Sequence, residues 1–190
     1  MRRVVAILPI FLTGCTAGVV VNRAGVVKDA ENYFQADLTY FAGSSYSGLA
    51  SGFSYAYRRP VNRHLEYGVE TSFYGGFFEI SSYEGAMSGF MGDVYGKLSG
   101  GAESFSIAMQ VGLGIMGAIS SEESIVLPGG RVSFLMEFGR GEPFTIGFTL
   151  PPAVFWWSVH MGPMNIFLSV SLVAMYLEAP GVGAGFGFSF

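Results

Sequence analysis

Five carboxylates and two basic side chains lie at alternate positions of predicted β-strands, on the faces that carry small or polar residues. They are Asp37, Glu66, Glu70, Asp93, Lys97, Arg131 and Glu137. Two carboxylates that are held close together can serve as general acid and base in catalysis. The commoner role of charges in a small barrel is structural, because an outward charge costs about 2–4 kcal/mol at mid-membrane. We therefore predict that these seven residues form a lumen charge network and that no residue is catalytic.

The pairing of two consecutive strands decides which of these charges meet. Strands near 64–74 and 86–98 are predicted to form a hairpin. This arrangement brings Glu66 close to Lys97 and Glu70 close to Asp93. The first contact would be an ion pair and the second an acid pair.

Two other features could bind a cofactor or a metal ion. The segment "GLGIMG" at 112–117 matches GxGxxG, but a dinucleotide site needs a helix to open at these glycines, and the loop-like "AISSEES" follows. His64 and His160 are far apart in the sequence and lack metal-ligand spacing. We predict no cofactor and no metal site.

The elements that would position these side chains are strands, because the dominant period of the sequence is two. In residues 104–116, six bulky apolar residues alternate with small or polar ones, which predicts a strand with one apolar face. The same alternation predicts strands near 33–42, 48–58, 64–74, 86–98, 104–116, 130–139, 144–150, 153–160, 165–176 and 182–190.

Ten such strands would close as an all-β, antiparallel up-and-down transmembrane β-barrel. Tight connections such as "RRPVNR" and "MGP" contrast with long segments at 75–85 and 117–129, and the short turns of such barrels face the periplasm. An even number of strands puts both termini on that side. If Pro151 and Pro152 interrupt one bulged strand, an eight-stranded barrel is the alternative.

The composition indicates which face meets lipid. Only 13% of the residues are charged, against roughly 25% in soluble domains, and 51% are hydrophobic. A soluble lipocalin-like barrel turns its apolar face inward, whereas the second face here is mostly Gly, Ala and Ser, which suits a narrow lumen. A helical membrane protein is disfavoured by Pro151, Pro152 and Pro163 within the uncharged stretch 143–177.

The N-terminus "MRRVVAILPIFLTGC" has two arginines, an apolar stretch and then small residues, as secretory signals do. Its end resembles the lipobox of bacterial lipoproteins, which implies cleavage before Cys15 and acylation of that cysteine. We predict a lipoprotein signal peptide over residues 1–14, a lipid-anchored tether over 15–32 and an outer-membrane β-barrel over 33–190. The formal charge of the chain is -4, and an acidic chain does not favour nucleic acid as a partner.

The closing residues "GVGAGFGFSF" place Phe186, Phe188 and Phe190 on alternate positions. The chain thereby resembles the small outer-membrane β-barrel proteins of Gram-negative bacteria, whose last strand commonly ends in an aromatic residue. The resemblance implies that the barrel-assembly machinery recognises these three residues as an assembly signal. It also implies outer-membrane lipids as partners and a location in the outer membrane with both termini periplasmic.

The predicted function is that of a non-enzymatic outer-membrane β-barrel lipoprotein, either a structural or surface-interaction element or a narrow pore. One alternative is an outer-membrane lipid-modifying hydrolase, because Ser158 and His160 share a strand face, as the Ser and His of known lipid A hydrolases do. That alternative needs this face toward lipid and a carboxylate nearby. The other alternative is a periplasm-facing lipocalin-like binding lipoprotein, which needs bulky apolar side chains pointing inward.

Overall fold

The alternating segments of the sequence form ten β-strands. The structure is a computed structural model that describes residues 19–42, 46–80, 83–102, 104–120, 124–140, 142–150, 153–171 and 181–190. The strands are β1 (Glu31–Ala42), β2 (Tyr46–Pro60), β3 (Leu65–Ile80), β4 (Tyr83–Ala102), β5 (Phe105–Ser120), β6 (Ser124–Phe138), β7 (Phe144–Leu150), β8 (Val154–Met161), β9 (Met164–Ser171) and β10 (Gly181–Ser189). Within these ranges no helix has the length and apolar character needed to cross a membrane.

Each strand pairs antiparallel with its neighbour in the sequence, and β1 pairs with β10 to close the barrel. At the end of this closing pair, Asn32 and Phe190 exchange two backbone hydrogen bonds of 2.9 Å each. The prediction of a ten-stranded antiparallel barrel is confirmed. The eight-stranded alternative is excluded because β7 and β8 are separate strands that pair with each other.

The two faces of the wall differ as the alternation predicts. On β5, Leu113 is 72% exposed on the outside, whereas Gln110 is completely buried on the inside. Burial alternates at every residue along β8 as well. Bulky apolar side chains therefore cover most of the outer surface, which is the reverse of the arrangement that a lipocalin-like barrel requires.

Four strands, β3 to β6, run further than the sequence pattern predicts. The segments 75–85 and 117–129 were predicted as long loops, and this prediction was wrong. β3 pairs with β4, and β5 with β6, to Ile80 and Tyr83 in the first pair and to Ile119 and Ser124 in the second. Glycines and consecutive apolar residues hide the period of two in these segments, whereas backbone pairing does not depend on it.

The strands differ greatly in length, and the difference lies at one end of the barrel. We call the end where β1 begins and β10 ends the terminal end, and the opposite one the far end. β4 has 20 residues and β7 has 7, or about 66 and 23 Å of strand at about 3.3 Å per residue. β6 pairs with β7 only from Val132 onward. Among the described residues, those of β6 before Val132 pair with β5 alone, which accommodates Pro128 and its missing N–H donor.

Residues 19–27, which we call the lumen segment, lie inside the barrel. Val20, Val21 and Ala24 are buried, and the exposed residues 28–30 lead from the segment into β1. A tether was predicted over residues 15–32, but residues 19–27 of it lie inside the barrel. Burial of the valines against apolar side chains of the wall favours this position over one in water. The signal peptide predicted over 1–14 and the predicted acylation site at Cys15 lie outside the described residues.

Candidate functional site in the barrel lumen

The seven residues of the predicted lumen charge network all lie buried on the inner face of the wall. They are Asp37 on β1, Glu66 and Glu70 on β3, Asp93 and Lys97 on β4, and Arg131 and Glu137 on β6. The register of β3 and β4 sets Glu66 opposite Lys97 and Glu70 opposite Asp93. Strand alternation thus directs all seven inward. Five of them form ion pairs with one another, and Glu137 pairs with Arg23 of the lumen segment.

Arg131 is shared by two carboxylates. Its Nε lies 2.7 Å from Oδ2 of Asp93, and its Nη2 donates to Oδ1 of the same residue at 3.2 Å. Nη2 also contacts Glu70. Gly112 lies opposite Arg131 in the register, and a Cβ at Gly112 would come within 3.1 Å of the Asp93 carboxylate. The glycine therefore makes room for the Asp93 carboxylate, one of the two acids that Arg131 bridges.

Lys97 binds both the wall and the lumen segment. Its Nζ lies 2.8 Å from Oε2 of Glu66, whose other carboxylate oxygen accepts a hydrogen bond of 3.0 Å from the Tyr95 hydroxyl. The same ammonium group donates to the carbonyl oxygens of Arg23 at 3.2 Å and Gly25 at 2.9 Å. One buried cation therefore connects the charge network to the backbone of the lumen segment.

Glu137 accepts the positive charge that the lumen segment carries. Arg23 donates through Nε at 3.3 Å and through Nη2 at 3.1 Å to the two carboxylate oxygens, which is the bidentate geometry of a strong pair. The backbone N–H of Ala24 donates to the same carboxylate at 3.2 Å. Glu137 thus binds two consecutive residues of the segment.

Arg58 is a buried base of the lumen that the sequence analysis missed. Its Nη1 lies 2.9 Å from Oε1 of Glu31, and its guanidinium carbon lies 4.2 Å from the centroid of the Tyr33 ring, which adds a cation–π contact. The segment "RRPVNR", residues 58–63, was predicted as a tight connection, but β2 continues to Pro60. Extending the alternation two steps beyond Ser54 would have placed Arg58 inside the barrel.

Uncharged amides also hold the lumen segment, and the sequence analysis did not select them. Asn22 donates from Nδ2 to Glu70 at 2.6 Å and to Gln110 at 3.0 Å. Gln35 accepts the backbone N–H of Val21 at 2.9 Å and donates to the carbonyl oxygen of Val19 at 2.8 Å. In the sequence, only the position of Gln35 and Gln110 on the small-residue face of a strand indicated that they point into the lumen.

Another part of the lumen is apolar. There the lumen segment contributes Val19, Val21 and Ala24 to a buried cluster, and the wall contributes Ala108, Leu135, Val154, Trp156 and Phe167. The Trp156 ring lies against Gly147, where a Cβ would overlap it. The inner face therefore carries larger side chains than predicted. One side of the lumen segment contacts this apolar cluster, and the other contacts the charge network.

Ser158 and His160 face this lumen. Ser158 Oγ and His160 Nε2 are 3.1 Å apart, and both residues are buried. The outward positions of the strand belong instead to Trp157 and Val159. The lipid-modifying alternative needs the Ser–His pair on the lipid-facing surface, and the structure places it on the opposite face.

The histidines do not form part of a metal centre within the residues that the structure describes. In those residues no group of three or more His, Cys, Asp or Glu side chains is placed to hold an ion. His64 is exposed between β2 and β3, where its Nδ1 lies 3.1 Å from the carbonyl oxygen of Ser99. His160 lies inside the barrel, so the two histidines have unrelated surroundings.

The three phenylalanines of the predicted assembly signal lie on the outer surface of the last strand and its end. Phe186, Phe188 and Phe190 are all exposed, and the rings of the last two stack with their centroids 6.1 Å apart. Backbone pairing with β1 holds this end of the chain in the wall. The closing segment is therefore a barrel strand with an aromatic outer face.

Ten antiparallel strands closed between β1 and β10 define the architecture of a small outer-membrane β-barrel. The sequence matches no known family model and no curated protein. Among solved structures, the chain is similar to Ail, the attachment invasion locus protein of Yersinia pestis, with 17% identity over 85% of this chain and 99% of that one and a TM-score of 0.37. It is also similar to the beta domain of the Bordetella autotransporter BrkA (9% identity, 86% and 100% covered, TM-score 0.47) and to Neisserial surface protein A (12% identity, 83% and 95% covered, TM-score 0.38). Likeness at this level concerns the fold alone.

Proposed function

We propose that the protein is a non-enzymatic integral β-barrel of the outer membrane, a structural or surface-interaction element whose lumen is closed by its own N-terminal segment. One observation carries the proposal. Bulky apolar side chains cover the outside of a wall whose inside holds ion pairs and the lumen segment. This distribution is stable in a bilayer and unstable in water.

The outer surface supports the membrane location. Every strand exposes large apolar side chains on it, for example Leu38, Phe53, Phe73, Val94, Leu113, Phe134, Phe144, Phe155, Ile166 and Phe186. Soluble monomers rarely expose a continuous apolar patch of more than a few hundred Å². A closed barrel also satisfies its backbone hydrogen bonds internally, as the hydrocarbon region demands.

The occupied lumen favours the structural role over the narrow pore. The lumen segment is bonded to Lys97 and Gln110 on two neighbouring strands and to Glu137 on a third. An ion that crosses the barrel would have to displace charge-assisted hydrogen bonds, which are about twice as strong as neutral ones.

We also propose that residues 1–14 are a signal peptide, that Cys15 is acylated and that the terminal end faces the periplasm. The lipobox-like end of the apolar stretch and the common position of both barrel termini support this. Three residues separate Cys15 from Val19, so their Cα atoms lie at most about 14 Å apart. The proposed lipid anchor is therefore close in the chain to the lumen segment.

Recognition of Phe186, Phe188 and Phe190 by the barrel-assembly machinery is part of the same proposal. Their exposure on the outer face of the closing strand supports it, because a signal must be accessible before the barrel closes. Outer-membrane lipids would then surround the finished wall.

Membrane insertion is tested by expressing the full chain in a Gram-negative host and washing the membranes with urea. We expect the protein to stay in the outer-membrane fraction and to migrate differently on gels before and after boiling, as closed barrels do. Extraction by urea without a change in migration would contradict the proposal.

The closed lumen is tested by conductance in planar bilayers. The unmodified protein should give no steady current, whereas Asn22→Ala combined with Arg23→Ala should give fluctuating openings, because four hydrogen bonds to the wall are lost. Lys28→Ala, an exposed change outside the lumen, is the matched control. Steady conductance of the unmodified protein would contradict the closed lumen and would favour the narrow pore.

The lipid anchor has its own test. Labelled fatty acid should be incorporated into the unmodified protein and not into Cys15→Ala. Equal labelling of the two proteins would show that the lipid is attached elsewhere and would refute acylation of Cys15.

A further inference from the structure

The lumen segment is bound mainly through its backbone. Carbonyl oxygens of Val19, Val21, Arg23, Ala24 and Gly25 accept hydrogen bonds from the wall, and N–H groups of Val21, Ala24 and Val27 donate to it. The wall supplies side chains for all of these bonds, from Gln35, Arg58, Glu66, Lys97, Ser99 and Glu137. Among the described contacts, Asn22 and Arg23 alone use side chains of the segment in hydrogen bonds to the wall.

These bonds are unlike the ones that hold a strand in the barrel. Within the described residues, no backbone-to-backbone hydrogen bond joins the segment to a strand. Removing it therefore leaves every ladder of the wall intact. Its covalent link to β1 runs through the exposed residues 28–30. The segment is in physical terms a bound peptide that is tethered to its receptor.

The shape and charge of the lumen define which peptide fits. The Ala24 side chain is completely buried, so a small residue is needed at that position, whereas a Cβ at Gly25 would make an ordinary contact of 3.4 Å with Glu137. On the apolar side, Val19 and Val21 pack in the cluster that contains Trp156. The buried charged side chains of the described wall comprise five carboxylates and three bases, so a cationic ligand is favoured, and the lumen segment supplies one positive charge at Arg23.

We propose that the lumen is a binding site for a monocationic, valine-rich polypeptide segment. Residues 19–27 occupy this site, and a separate peptide of the same sequence can replace them. The inference rests on the closed lumen of the proposed function and adds that the closure is an exchangeable interaction. Because wall side chains recognise mostly backbone groups, the site tolerates changes in the peptide's side chains better than the loss of its N–H donors.

The test uses the full chain, folded first and cut afterwards. A protease site is inserted between Asp29 and Ala30, which are both exposed, and the refolded barrel is cleaved in detergent. A fluorescent peptide of residues 16–28 is then added, and binding is followed by anisotropy, with release of the original segment followed by gel filtration. The uncut protein is the control and should bind the peptide at least about tenfold more weakly, since its own segment competes intramolecularly.

Two modified peptides identify backbone recognition. N-methylation at Val21, Ala24 and Val27 removes three donors to the wall and should weaken binding by at least about tenfold. N-methylation at Val20 and Val26, whose N–H groups are not among the described donors, is the matched control. Peptides with Asn22→Ala and Arg23→Ala should fall between these two.

Two outcomes would overturn the inference: a cleaved barrel that keeps its fold but takes up no peptide, or equal affinity for the two N-methylated peptides. Gel migration before boiling reports the fold in the same samples. Conductance of the uncut protein would instead overturn the closed lumen of the proposed function. If the uncut protein does not conduct and the cleaved protein does not exchange its segment for the peptide, the lumen is closed but the closure is not exchangeable.

Discussion

The side-chain nitrogen of Asn22 lies 2.6 Å from Oε1 of Glu70, which bonds a residue ahead of the first strand to the middle of the third. The two residues are 48 positions apart in the sequence. Glu70 also contacts Arg131, and Asn22 also contacts Gln110. The N-terminal segment and the wall therefore share one polar network, and a change at either side should affect the other.

Loss of the Arg131 guanidinium should strongly destabilise the barrel. Arg131→Met leaves Asp93 and Glu70 buried without their cation, and we expect the free energy of unfolding to fall by about 3–5 kcal/mol. Urea unfolding in lipid vesicles measures this. Arg59→Met, a change at an exposed arginine, should stay within about 0.5 kcal/mol. Equal effects of the two substitutions would contradict the role of Arg131.

The pair of Lys97 and Glu66 should show a rescue. Lys97→Met alone leaves the Glu66 carboxylate buried and uncompensated, at a cost of about 3–5 kcal/mol. Adding Glu66→Gln removes that charge and should recover part of the loss. A double-mutant cycle by urea unfolding measures the coupling. A double variant less stable than Lys97→Met would argue against the ion pair.

The outer surface should respond to charge according to depth. Leu113 is exposed in the middle of β5, and Leu113→Arg should lower the stability in vesicles by about 2–4 kcal/mol. Val61 is exposed on the connection between β2 and β3, and Val61→Arg should cost about 0–1 kcal/mol. The membrane location would be disproved by equal costs in vesicles.

The contact of Trp156 with Gly147 should make that glycine intolerant of substitution. A Cβ at Gly147 would overlap the Trp156 ring, so Gly147→Ala should cost about 1–3 kcal/mol through displacement of the ring. At Gly96 a Cβ would meet nothing within 4 Å, and Gly96→Ala should be neutral or slightly stabilising. Thermal unfolding of the two variants decides, and a stable Gly147→Ala with unchanged Trp fluorescence would contradict the packing.

The final aromatic residue should matter for assembly more than for stability. Phe190→Ala is expected to lower the amount of folded protein in cells several-fold, while refolding of the purified chain in detergent is little changed. Phe155→Ala removes an outward phenylalanine from β8 and serves as the control. The ratio of folded to unfolded bands on unboiled gels measures both. Equal losses in cells would point to lipid contact rather than to recognition.

The period of two was sufficient to predict the barrel and the inward direction of its charges. It could not predict the lumen segment. The hydrogen bonds that hold Val21 and Arg23 come from Gln35 and Glu137, which are 14 and 114 positions away in the sequence. In the sequence alone, three valines near an asparagine and an arginine look like an ordinary linker.

Local pattern was also insufficient where the partner strand decides. Trp156 and Trp157 are adjacent, and alternation requires one of them inside, yet a tryptophan fits in the lumen because Gly147 lies opposite it on β7. The register that sets Gly147 opposite Trp156 depends on the length of the connection between β7 and β8, which the alternation within each strand does not define. The far ends of β3 to β6 were missed for the same reason, since they are defined by their pairing.

Because the strands differ in length, they end at different heights at the far end of the barrel. The described strands β7 and β8 end lower than β3 to β6, so the strand wall ends obliquely to the barrel axis. On the high side the exposed Phe77 and Val126 extend the apolar outer face beyond the ends of β7 and β8. The apolar surface of the described strands is therefore taller on one side of the barrel than on the other.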